Sequence, residues 1–165
     1  MNTDAAINYG RNVMSDSSQI EPVKVIARYG NGKVLKGYTH DLFPNKHLFR
    51  ISPSIDEPFK EGTKIQIPDL NAFFSVRDFA GDPSYNERNN FFQYKQPHGR
   101  KIEVTFKDGE VLADTTVGHT PDLRGFFIFP ADPKSNNLRV FVISAAVKKF
   151  GFYKEKNLFI VLTNN

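Results

Sequence analysis

The chain has no cysteine and no tryptophan. Without cysteine there is no disulfide framework, no thiolate nucleophile and no Cys-type zinc site. A cysteine-free chain fits a reducing cytosol, so the sequence reads as cytoplasmic. No apolar run approaches the roughly 20 residues that a membrane helix needs. Residues 1–19 show no basic stretch followed by an apolar one, so no secretory signal is expected. A dominant charge is missing as well. The formal net charge is only +4, with basic residues spread along the chain, and a solvated surface carries that without a polyanion partner.

What the chain has in quantity is phenylalanine. Sixteen Phe and six Tyr favour strands and supply large buried area. The length of 165 residues suits one domain or two small ones.

Order is expected from Pro22. Val23, Val25, Ala27 and Tyr29 alternate with Lys24, Ile26 and Arg28, a period of two that predicts a strand. Asn31-Gly32 follows, then Val34-Leu35. Asn-Gly between two such runs predicts a tight hairpin with positive φ at both turn positions. The pattern returns 77 residues later. Ile102, Val104 and Phe106 alternate, Asp108-Gly109 makes the turn, and Val111-Leu112 resumes. Without a gap, Thr39 matches Thr116, Pro44 matches Pro121, Phe49 matches Phe126, Ile51 matches Ile128 and Pro53 matches Pro130. Nine of the 31 positions from Val23 to Pro53 are identical to their partners. A register kept through two prolines is hard to reach by chance, so an internal repeat is expected. Beyond it, Lys64 to Ile67 resembles Arg139 to Ile143 more loosely, at a shift nearer 76.

The expected organisation is a polar tail over 1–21, a first unit over 22–81, a linker over 82–99 and a second unit over 100–165. The last strand, Leu158 to Leu162, is apolar on both faces and has no counterpart in the first unit. It is expected to be buried against that unit.

Each unit holds about 60 residues and four or five short strands. An open sheet of that size exposes two edges and buries little, so a small barrel is expected. The run Val25-x-Ala27-x-Tyr29-x-Asn31-Gly32-x-Val34-x-x-Gly37, with Asp41 and Asn45, resembles the first motif of Sm-like small barrels. Val140-Phe141-Val142-Ile143 with Val147 resembles their second motif. The resemblance implies two tandem Sm-like β-barrels, with Gly37 at a strong bend in the second strand. The chain over 22–163 also resembles an uncharacterised bacterial family of tandem β-barrels sometimes associated with PilZ-type regulatory proteins. The Sm-like RNA contact uses a basic-Gly turn, and Ser144-Ala145 stands in that place. The fold therefore transfers more readily than the ligand.

Catalytic patterns are scarce. No serine sits in a Gly-x-Ser-x-Gly elbow and no Walker sequence occurs. His40 and His47 lie seven apart near Asp41, a spacing that matches no common zinc pattern. His98 and His119 stand alone. No Arg has a second Arg four residues on, and no Asp/Asn-x-Ser-x-x-Gly occurs, so a PilZ-type cyclic dinucleotide site is not supported. The expectation is a protein that is not an enzyme and takes no cofactor or metal.

Two segments depart most from their repeat partners. One is Arg77 to Gly81 leading to Phe92, and the other is Asp132 to Asn137. Arg with aromatics is the composition of interface hot spots, so Arg77, Asp78, Tyr85, Glu87, Phe91 and Phe92 are the candidate binding residues. The functional expectation is a non-catalytic interaction or regulatory module with a protein partner, gripped by an aromatic rim or an exposed strand edge. The alternative is RNA or single-stranded nucleic acid on an Sm-like surface.

Overall fold

A computed structural model describes residues 21–42, 45–57, 59–84, 99–118 and 124–162. Its described part is all-β. The strands are β1 (Val23–Tyr29), β2 (Val34–Thr39), β3 (Leu48–Ile51), β4 (Thr63–Gln66), β5 (Leu70–Val76), β6 (Arg100–Phe106), β7 (Val111–Thr116), β8 (Gly125–Ile128), β9 (Asn137–Ile143), β10 (Val147–Lys154) and β11 (Asn157–Leu162). The tail over 1–20 and most of the expected linker lie outside the described residues.

The two predicted hairpins form, by a different turn. Gly32 has φ 84° and Gly109 has φ 93°, while Asn31 and Asp108 keep negative φ. The Gly32 amide donates to the Tyr29 carbonyl at 3.0 Å, and the Tyr29 amide donates to Lys33. A turn closed in this way, followed by one left-handed glycine, needs only a single residue at positive φ. The Asn31 side chain then accepts the Lys33 amide, as Asp108 accepts that of Glu110.

All pairings are antiparallel. The strands make a five-stranded sheet in the order β2-β1-β5-β9-β8, a four-stranded sheet β11-β10-β6-β7 and a two-stranded sheet β3-β4. None of them closes on itself. Single bridges join Tyr38 to Ser52 and Thr115 to Phe129. The pairing of the first half recurs in the second at a shift of 77 throughout. Val25 faces Gly37 and Ser75 as Ile102 faces Asp114 and Phe152. Phe49 faces Ile65 as Phe126 faces Val142. The bulge in β5 beside Tyr29 returns in β10 beside Phe106. The looser match at 76 is thus an effect of composition. Backbone register survives where side chains have diverged, because a one-residue slip would turn every inward side chain outward.

Two apolar cores follow, and each borrows from the other half. The first gathers Val25, Ala27, Phe49, Ile51, Ile65 and Phe73, and takes Phe141 and Ile143 from β9. The second gathers Ile102, Val104, Phe106, Phe126 and Ile128, and takes Ala72 from β5. The pairing of β5 with β9 makes this joint. Alternate residues of those two strands serve opposite cores, as the period of two requires.

Candidate functional site

Of the candidate binding residues, Arg77 and Asp78 are described, and Tyr85, Glu87, Phe91 and Phe92 lie outside the described residues. The structure ties Arg77 and Asp78 to the other divergent segment. The Arg77 guanidinium donates to the Ser135 carbonyl at 3.1 Å and to Pro133 at 3.4 Å. The Asn136 carboxamide accepts the Asp78 amide at 3.0 Å and donates to the Asp78 carbonyl at 2.8 Å. The two segments that diverged in sequence therefore hold each other, and the exposed Arg77 directs two of its guanidinium donors to the facing loop.

The terminal strand lies elsewhere than expected. β11 is the outer strand of the four-stranded sheet, with Phe159 58%, Ile160 48% and Val161 45% exposed. Its apolar character does not bury it, because among the described residues no strand pairs with its outer edge. Its register is informative. β10 faces β11 as β5 faces β9, with Phe73–Phe141 matched by Phe150–Val161 and Phe74–Val140 matched by Gly151–Ile160. β11 thus takes on β10 the place that a strand of the second half takes on β5. In that first setting β9 is covered in turn by β8, and Phe127 lies opposite Phe141 with ring centroids 5.0 Å apart. Among the described residues, β11 has no such neighbour. Beside it opens a cleft of about 370 Å³ lined by Arg100, Thr116, Val117, Gly118, Phe150, Phe152 and Val161. The Arg100 guanidinium stacks on Phe152 at 3.8 Å. Val161 is smaller than the Phe141 it replaces, so this cleft stays open.

A second cleft, of about 350 Å³, lies where the two halves meet. Lys46, His47 and Arg124 line it with Ile67, Pro68, Ile143, Ser144 and Ala145. The repeat builds it. The Ile67 amide donates to His47, and 77 residues on the Ser144 amide donates to Arg124. Residues 67–69 and 144–146 are matching 3-10 turns. Lys46 pairs with Asp41, and the buried Ser144 hydroxyl has no hydrogen-bond partner among the described residues. Sequence reasoning missed this cleft because Lys46-His47 and Arg124 lie on matching positions of two different repeats, far apart in the chain. The ungapped repeat was the available signal, since it aligns His47 with Arg124.

Among the described residues, no three His, Asp or Glu side chains come together as a metal site. Tyr153 donates its phenol to a Glu103 carboxylate oxygen at 2.5 Å. Burial, then that acceptor, pushes its pKa up to about 12. Among the described residues, no helix is long and apolar enough to cross a membrane.

These features define a duplicated all-β protein with an edge strand that no described strand covers and a mixed basic and apolar cleft at the joint. The chain belongs to a family of unknown function, DUF6982, whose model matches residues 21–153. β11 lies beyond that match. No curated protein and no solved structure matches the chain.

Proposed function

We propose that the chain is a cytoplasmic, non-catalytic interaction module of two small Sm-like barrels, which binds a protein partner as a strand added along β11. The barrel reading is supported by the strand neighbours in each half, β4-β3, β2-β1-β5, with the Tyr38–Ser52 bridge between the groups. The second half repeats the order. Each unit then covers most of its own edges.

The observation that carries the binding reading is the exposure of Phe159, Ile160 and Val161 on an open edge. An added strand satisfies the free backbone groups of such an edge, and adjacent pockets select its side chains. The cleft beside Val161 is such a pocket, with Arg100 and Phe152 to receive an aromatic ring. In the test, native lysate is passed over the immobilised chain. The captured partner is expected to protect the amides of residues 157–162 from hydrogen exchange, and Phe159→Lys to abolish capture. Equal capture by both proteins sinks the reading.

The cleft with Lys46, His47 and Arg124 supports a second reading, single-stranded nucleic acid. Cations beside apolar walls suit phosphate and base together. Phosphate contacts make affinity fall steeply with salt. Oligonucleotide binding at low salt that Arg124→Ala leaves unchanged counts against this cleft.

A further inference from the structure

We infer that the strand taken up by β11 is β11 of a second copy, paired antiparallel about a two-fold axis with Ile160 opposite Ile160. This rests on the strand-edge reading above and names its partner.

Three observations carry it. First, the edge is unguarded. β11 runs Asn-Leu-Phe-Ile-Val-Leu with no charge and no proline, whereas natural edge strands are blunted by such residues. The open edge of β4 is blunted in that way, being four residues long with Lys64 exposed.

Second, the molecule displays the completed version of the same arrangement. β9 holds on β5 the register that β11 holds on β10, and β8 covers β9 with Phe127 opposite Phe141. What β11 lacks is an antiparallel strand with an aromatic residue opposite Val161.

Third, β11 supplies that strand itself. Centring the pair on Ile160 sets Phe159 of each copy opposite Val161 of the other. Phe159 and Val161 are two apart, so they share the face on which Val161 lines the cleft of about 370 Å³. Each copy's phenyl ring then enters the other's cleft, beside Arg100 and Phe152. An isologous contact of this kind closes after two copies. Stacking a further half-molecule on the outer face of β10 is disfavoured. Lys149 and Gly151 stand there at the places of Ala72 and Phe74 on β5, and Ala72 is fully buried in the joint.

The absence of native cysteine makes the register testable by disulfide trapping. In an antiparallel pair, directly opposed residues lie within the reach of a disulfide. Sedimentation equilibrium of the full chain is expected to show a reversible dimer. Oxidised Ile160→Cys is expected to give a covalent dimer. Phe159→Cys is expected to cross-link with Val161→Cys in a mixture, in preference to cross-linking with itself. Ile160→Lys is expected to weaken the dimer about 100-fold or more, through two opposed like charges, while circular dichroism shows it folded. A chain that stays monomeric at high concentration overturns the inference. So does a dimer whose cross-links miss this register. If the chain is monomeric but Phe159→Lys still abolishes partner capture, the self-pairing falls and the strand-edge reading stands. If neither property depends on β11, both fall.

Discussion

Arg28 of β1 pairs with Glu110 in the β6–β7 turn, across the joint between the two halves. Its guanidinium also lies 5.4 Å from the Phe74 ring centroid and 4.9 Å from that of Phe106. The Arg28 side chain is 12% exposed and that of Glu110 43%. Water therefore screens the ion pair, and the two rings hold the cation. Arg28→Ala is expected to destabilise by about 2–3 kcal/mol, through the packing lost against the Phe74 and Phe106 rings. Glu110→Gln is expected to cost less than about 1 kcal/mol. Urea unfolding of both variants checks the ranking, and equal losses would place the weight on the ion pair.

Gly37 sits where β2 crosses under β3. A Cβ there would lie 2.3 Å from the Ile51 side chain and 2.5 Å from the Ser52 carbonyl oxygen. That oxygen also accepts the Tyr38 amide at 2.8 Å, so the backbone has little room to yield. Gly37→Ala is expected to cost about 1–3 kcal/mol as overpacking, read as a lower thermal midpoint. The matching position in the second half holds Asp114, so the tight approach belongs to the first half alone.

Phe141 stacks on Phe73 at 5.0 Å and 22°, and is 2% exposed. It comes from the second half and fills the first core. Phe141→Ala is expected to cost about 3–5 kcal/mol and to unfold both halves together. Val161 holds the equivalent register on β11 but is 45% exposed. Val161→Ala is expected to cost under about 1 kcal/mol, since little of its surface leaves water on folding. Calorimetry of the pair tests the contrast, and two separate transitions in Phe141→Ala would argue against a shared joint.

Tyr153 predicts an alkaline limit. The folded phenol keeps its proton up to about pH 12, against an ordinary value of 10.0, because burial and the Glu103 carboxylate disfavour the phenolate. The unfolded chain ionises Tyr153 first. Its contribution to stability is complete below about pH 10 and is lost as pH rises from there to about 12. Tyr29 is also raised, by burial and then by Asp69, so a tyrosinate absorbance titration is expected to show a late-ionising component, which Tyr153→Phe diminishes and Glu103→Gln shifts down. A Tyr153→Phe titration identical to wild type would refute the assignment.

The repeat was legible because identical strand pairing imposes identical spacing. Thr39 and Thr116, Phe49 and Phe126, and Ile51 and Ile128 face inward in both halves, so their identities persisted. The candidate site was less legible. Arg77 and Asp78 drew attention as divergent residues, yet their divergence answers that of the Asp132–Asn137 loop, which they hold. The cleft of Lys46, His47 and Arg124 left no local pattern, because it forms only when two halves 77 residues apart are brought together.

By itself the sequence determined the two Gly-turn hairpins and the duplication, since each depends on local alternation and on a glycine at positive φ, though not the type of turn. Tertiary structure alone decided where the apolar strand at the end would lie. Alternation cannot distinguish a strand apolar on both faces because two cores claim it, as for β9, from one apolar on both faces at an open edge, as for β11. That difference rests on which strand lies beyond, a long-range pairing that no local pattern encodes.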